Sequence, residues 1–433
     1  MAMFLYPLWI LFIGALAVLL AGSNTKRGLF PSLLSFFVIT SSTLVLIPYV
    51  FFGRPRAVAG PGGLFLFTLE PLSTGFALCL SIIGAGHIIQ LAGWGPLKGG
   101  NGKEGASALF GLGLAMGTVF SSDLLTMAFF AEAACLFFFM MVKKRSQGVC
   151  FSVVHDVFFF LPTAVIAFML IFQGMTGGLD QLHTGNMHEL SCLFLGVYIL
   201  LRLFLLPFSF FPDAMAGVFG EPLLAGLAVF TLFASVIMTV RALSAGPGVA
   251  FAVFMISSMV AGIYSVMAYR QRDFTRLACC IFIVETACIA GAAGLHSLMS
   301  ASAGRGLFLM ICNHFTAATG TVFTAVMMQR NGGRVPSVFF IVFMLALVGL
   351  LPCAGLAGKI LLYREALREG GNVAAAALVP AFFSVLPVLF FVRWFGTVKK
   401  GLTAAGARVD AAQAVFLAIL AANLYLPLLY SMK

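Results

Sequence analysis

With 61% hydrophobic and only 9% charged residues over 433 positions, and a mean hydropathy of +1.09, this chain cannot be a water-soluble domain. It has the composition of a protein that satisfies its backbone polar groups in lipid. The net charge of +11 is not a nucleic-acid signal, because the basic residues fall mainly between apolar runs, as the positive-inside rule requires.

Charge-poor runs long enough to cross a hydrocarbon core of ~30 Å recur along the whole sequence. In chain order they cover 3–21, 28–52, 64–92, 105–120, 122–142, 149–174, 190–211, 222–242, 248–268, 277–296, 304–328, 337–364, 373–395 and 411–431. No basic segment precedes the first run, and Lys26 and Arg27 follow it, so it reads as an uncleaved helix with its N-terminus outside rather than as a signal peptide. The fourth run carries GLGLAMG, 111–117, which is small-residue helix packing and not a nucleotide loop. His87, near the end of the third run, is expected at the membrane interface. The nine cysteines contain no C-x-x-C pair, which excludes an iron–sulfur or zinc framework of that spacing, and the adjacent Cys279 and Cys280 are expected to pack against helices. Connections are short, so 1–433 is expected to be a single transmembrane domain. It divides into three N-terminal helices in 1–104, one repeat in 105–242, a second in 248–395 and a last helix in 411–433.

With the N-terminus outside, the inner loops hold sixteen basic residues, and the outer loops with the C-terminus hold seven, Arg241 and Arg305 among them. This asymmetry predicts about fourteen spans with both termini outside. Two basic residues remain, Arg202 and Lys359, and both lie inside predicted spans.

Ionisable residues at membrane depth are costly and point to function. Glu132, Arg202, Glu285, His314 and Lys359 sit within or near span centres. Glu132 and Arg202 are 70 residues apart and Glu285 and Lys359 are 74 apart, while the two acids are separated by 153 and the two bases by 157. Spans 4–8 and 9–13 therefore read as two copies of a five-helix unit, each with an acid on its second helix and a base on its fourth. Five is odd, so the copies are inverted in the membrane, a transporter architecture. The fourth helix of each unit is also interrupted, by Pro207 and Pro212 after Arg202 and by Pro352, Gly355 and Gly358 before Lys359. Broken helices aim freed backbone groups at a cavity. The chemistry these residues suit is a proton relay: a buried lysine can release its proton, whereas a guanidinium effectively never does, so Arg202 serves as a fixed charge. His155 and Asp156, at the start of the sixth span, read as a channel-mouth site, and Asp213 and Glu221 as loop or capping residues between the seventh and eighth spans.

These segments resemble the proton-conducting, antiporter-like subunits of respiratory complex I, Mrp antiporters and membrane-bound group 4 hydrogenases, over roughly spans 3 to 13. TLEPLSTGF, 68–76, resembles the family's D-x-L-S segment, with Glu70 for the usual Asp. SSDLLTMAFFAEAACLFFFMMVKKR, 121–145, resembles its fifth helix, with Glu132 at the conducting glutamate. RLFLLPFSFFPDAM is similar to K-x-x-x-x-P-x-H-x-W-L-P-D-A, with Arg202 for the lysine and Ser209 for the histidine. RDFTRLACCIFIVETACIAGAAG, 272–294, resembles D-x-K-R-x-x-A-Y-S-S-I-E-N-x-G, and NHFTAATG, 313–320, resembles N-H-x-x-x-K with Ala318 for the lysine. GLLPCAGLAGKILLYREAL, 349–367, matches G-x-P-P-x-x-G-F-x-S-K-x-x-L at Lys359. Glu285 tilts the resemblance towards the hydrogenase and formate hydrogenlyase branch. The lysine of the family's eighth helix is missing, and Phe233 falls about there.

The resemblance implies an all-α polytopic membrane protein with two inverted five-helix repeats and broken seventh and twelfth helices. It implies a proton pathway through Glu132, Arg202, Glu285, His314 and Lys359, with Glu70, His155, Asp156 and Asp213 as secondary channel candidates. It further implies a multisubunit, energy-converting redox complex in a bacterial or archaeal inner membrane. The partners would be other membrane subunits, further antiporter-like ones among them, and a soluble redox arm. Nickel-iron, iron–sulfur or flavin groups would belong to those partners and no cofactor to this chain. A cation/proton antiporter, an inorganic-carbon uptake system and a non-pumping spacer subunit stay open as alternatives.

Overall fold

The computed structural model describes residues 5–24, 29–52, 56–59, 66–94, 102–145, 149–176, 189–203, 218, 221–243, 247–271, 274–296, 299, 303–330, 334–383, 386 and 411–431. In chain order the helices are α1 (Tyr6–Asn24), α2 (Leu29–Phe52), α3 (Pro71–Trp94), α4 (Gly102–Phe120), α5 (Leu124–Arg145), α6 (Val149–Thr176), α7 (Glu189–Arg202), α8 (Pro222–Leu243), α9 (Pro247–Arg270), α10 (Phe274–His296), α11 (Ala303–Arg330), α12 (Arg334–Val348) and α13 (Ala354–Glu369). Three short helices complete them: α14 (Gly371–Phe383), α15 (Ala411–Asn423) and α16 (Leu426–Ser431). Seven of these helices contain stretches long and apolar enough to span a bilayer, and shorter apolar helices accompany them.

Local chemistry sets several of the boundaries. Helices α3, α8 and α9 each start on a proline, whose missing N–H is no loss in the first turn. Helix α5 starts at a buried Asp123 cap: the carboxylate accepts from the Thr126 amide at 2.8 Å and from the Thr126 hydroxyl at 2.5 Å. The same hydroxyl accepts from the Leu66 amide at 3.1 Å. That contact pins a small antiparallel hairpin, β1 (Arg56–Ala59) and β2 (Leu66–Leu69), to the α4–α5 turn. The hairpin is an addition to the all-helical expectation.

Packing runs opposite to that of a soluble protein at the periphery. The outer face of α9 exposes Phe251, Met255, Met259 and Val266, each more than half exposed, as a lipid-facing helix does. Inside, every residue of α10 from Leu277 to Leu295 is buried. Helix α8 joins the two halves of the molecule: it packs on α4 and α5 on one side and on α10 and α11 on the other. Small residues allow these close approaches. A Cβ on Gly113 of the GLGLAMG stretch would lie 2.9 Å from the Phe12 ring of α1.

Candidate functional site

The four charged residues read from spacing form two ion pairs, the first with a buried Arg202 and a partly buried Glu132, the second buried on both sides. In the first, Glu132 of α5 meets Arg202 at the last residue of α7. The Arg202 Nε donates to Glu132 Oε1 at 2.9 Å, and its Nη2 donates to Oε2 and, at 3.0 Å, to the Thr163 hydroxyl oxygen. The carboxylate accepts two more bonds, from the Tyr198 hydroxyl and the Thr163 hydroxyl, each at 2.6 Å. Thr163 follows Pro162 inside α6, where the proline removes one helical hydrogen bond. Arg202 is thus held by helices α5, α6 and α7 and does not reach for the interface.

The second pair joins α10 to α13. Lys359 Nζ donates to Glu285 Oε2 at 3.1 Å and Oε1 at 3.4 Å, and to the Val348 carbonyl at 2.6 Å. That carbonyl belongs to the last residue of α12, so the ammonium caps a helix C-terminus at membrane depth, where cation and dipole attract. The break lies at 349–353 and contains Pro352 as expected, but Gly355 and Gly358 fall inside α13, and the glycine in the break is Gly349; Lys359 lies within the second half-helix rather than at a loop. Several groups at the break have partners. Asn313 Nδ2 donates to the Ala346 carbonyl at 2.8 Å, the Cys353 thiol donates to Asn313 Oδ1 at 3.1 Å, and the Ala354 amide donates to the Leu424 carbonyl at 3.1 Å. The last bond brings in the turn between α15 and α16.

Gly349 makes the break possible. Its φ of +82° is one that L side chains rarely adopt, and a Cβ there would lie 2.9 Å from Lys359 Cδ. Gly349→Ala is expected to cost about 1–2 kcal/mol from the backbone alone and to displace Lys359. Thermal unfolding of the purified protein would fall, whereas an unchanged melting temperature would count against this role for the glycine.

His314 of α11 stands beside the second pair. Its Nε2 is 2.9 Å from the hydroxyl of Thr286, the residue after Glu285, and its ring stacks on Phe282 with centroids 4.9 Å apart. On α8, which packs against α5 of the first pair and α10 of the second, the described residues form an aromatic cluster. Phe233 of α8 is fully buried, edge-on to Phe76 at 5.9 Å and tilted against Phe315 at 4.9 Å, and Phe315 touches His314 at 5.0 Å.

The secondary candidates scatter. Glu70 is exposed ahead of α3, where its carbonyl accepts from the Thr74 amide at 2.9 Å. His155 and Asp156 fall in α6, with side chains outside the described residues, and Asp213 and the expected break after Arg202 lie outside them altogether. Two residues are more deeply engaged than the sequence suggested. His87 is enclosed against Phe230 and Gly226. Arg241, assigned to an outer loop, instead ties α8 to two other helices: from the last turn of α8 it donates to the Val119 and Ser121 carbonyls at the end of α4 and to the Ser73 hydroxyl of α3 at 2.8 Å. The signal available for it was its place beside the C-terminal carbonyls of a neighbouring helix, which spacing alone does not reveal.

No protein-family model and no curated protein sequence matches this chain. Solved structures do. It superposes on a chain of respiratory complex I from Thermus thermophilus with bound aureothin at a TM-score of 0.74 and 21% identity, over 98% of this chain and 97% of that one. A chain of the Mrp complex from Dietzia sp. DQ12-45-1b gives 0.75 and 16%, over 98% of this chain and 49% of that one. A chain of the membrane-bound sulfane sulfur reductase, an archaeal respiratory membrane complex, gives 0.78 and 17%, over 96% and 92%. The chain is thus a multi-pass, all-α membrane protein with the fold of subunits from these three membrane complexes, the fold expected from its antiporter-like motifs.

Proposed function

We propose that this chain is a proton-translocating, antiporter-like subunit of a redox-driven, energy-converting membrane complex, group 4 hydrogenase-like or complex I-like. The observation that carries the reading is the Glu285–Lys359 pair at the break between α12 and α13. Lysine can exchange its proton, and here two acceptors, the Glu285 carboxylate and the Val348 carbonyl, hold its Nζ. A change of charge at Glu285 alters that hold, which is the element a proton relay needs. Glu132 and Arg202 form the corresponding pair of the first half with a base that keeps its charge, and this correspondence supports two inverted copies in 105–242 and 248–395. Redox centres would sit in partner subunits, and the complex in a bacterial or archaeal inner membrane with both termini of this chain outside.

One observation favours a second reading, a non-pumping spacer subunit. The rings of Phe76, Phe233 and Phe315 pack together at α8, the helix that contacts both halves. An apolar packed stretch there is a barrier to protons.

The first test is metal and flavin analysis of the complex that copurifies with this chain in mild detergent. Nickel with iron is the expected result and places the chain in a hydrogenase-type machine. Iron and flavin without nickel would point to a complex I-like oxidoreductase. A complex without iron would overturn the redox-driven reading and leave an antiporter or an inorganic-carbon uptake system.

A further inference from the structure

The faces of α5 and α6 bound a groove of about 500 Å³ that leads to the first ion pair. Its walls are apolar, with Phe129, Leu136, Phe160 and Leu170 among them, and its polar members are Glu132, Thr163 and Arg202. Phe129, Leu136 and Phe160 are each more than half exposed, so the groove opens sideways, where acyl chains lie. A mostly apolar cleft of this size with a few convergent polar groups is what small-molecule sites have in common.

Donor and acceptor counting says what such a molecule must carry. The Glu132 carboxylate already accepts four hydrogen bonds, from Tyr198, Thr163 and two nitrogens of Arg202. The guanidinium has five N–H donors. Nε and Nη2 use theirs on Glu132 and Thr163, and Nη1 makes no hydrogen bond among the described residues. Arg202 lines the groove, so donors left over there face an apolar cleft rather than water, a costly position in lipid. The missing partner is an acceptor. It is also uncharged, because the ion pair is already balanced and a free anion at this depth would be penalised. Glu132 lies eight residues into α5, about 12 Å along the axis at 1.5 Å per residue. A phospholipid headgroup does not reach that level.

We propose that this groove binds a neutral, lipid-soluble molecule with a carbonyl-type oxygen on an apolar body, its oxygen accepting from Arg202 Nη1 and its body lying against Phe129, Leu136 and Phe160. The chemistry is shared by membrane quinones and neutral acylglycerols. It does not depend on whether the chain moves ions, so it can fail while the proposed function stands, and the reverse.

The test is photoaffinity labelling of the intact complex in its native membrane, with an azide-bearing quinone in one arm and a diazirine-bearing diacylglycerol in the other. Peptides covering 125–139 or 160–170 are expected to carry one of the two labels, and which arm succeeds identifies the source. Excess unlabelled parent compound should reduce that labelling by about tenfold or more. Ala167→Trp, which fills the groove, should do the same. Labelling that lies elsewhere, or that neither competitor nor Ala167→Trp reduces, overturns the site. So does crosslinking of a photoreactive residue at Phe160 to a neighbouring protein in place of a lipid-soluble molecule.

Discussion

Glu132→Ala is expected to lower the stability of the protein by about 3–5 kcal/mol, because it strands a buried guanidinium. Arg202 cannot shed its charge, and the Tyr198 and Thr163 hydroxyls lose their acceptor at the same time. The double variant Glu132→Leu with Arg202→Met removes both charges and should recover most of the loss, since apolar replacements of buried pairs are commonly neutral or stabilising by about 1–4 kcal/mol. Glu285→Ala should cost less than Glu132→Ala, because Lys359 can become neutral where Arg202 cannot. Melting temperatures of the detergent-purified variants, compared as a double-mutant cycle, measure all three. Equal losses at Glu132 and Glu285 would remove the distinction between a fixed charge and an exchangeable one.

Phe233→Ala is expected to cost about 3–5 kcal/mol, the usual range for emptying a buried aromatic position. The ring is fully buried between Phe76 and Phe315 on the helix that joins the two halves, so neighbouring helices cannot close the space without shifting. The cavity left behind is lined by rings, and an apolar cavity stays dry. The variant should therefore lose stability without gaining a proton path between the two pairs. A stable Phe233→Ala protein with faster proton leak through liposomes would show that the aromatic cluster alone holds the halves apart.

The fold was legible because lipid imposes few solutions: apolar runs of span length form helices, and the break at 349–353 is where Pro352 and Gly349 release backbone groups. The acids and bases were legible as costly residues at membrane depth. That they pair across helices was suggested by spacings of 70 and 74, yet only packing shows Glu132 on Arg202 and Glu285 on Lys359. The rest depended on contacts without a sequence period. Charge counting put Arg241 in a loop because it ends an apolar run, whereas its partners are carbonyls 120 and 122 residues away. The hairpin was hidden because RAVA and LFTL are too short to stand out beside long helices. Asn313 reads as an ordinary polar residue until Gly355, lacking a side chain, lets its amide reach the broken helix.

Proton uptake by the intact complex in liposomes, driven by its own electron donor, with Lys359→Arg beside the wild type, measures whether Lys359 carries the translocated proton. Arginine keeps the charge and can keep the bond to Glu285, but it cannot release a proton. An assembled complex with normal electron transfer and with proton translocation through this subunit abolished is the predicted result. Translocation at the wild-type stoichiometry in that variant would contradict the account, because the exchangeable proton would then not be on Lys359.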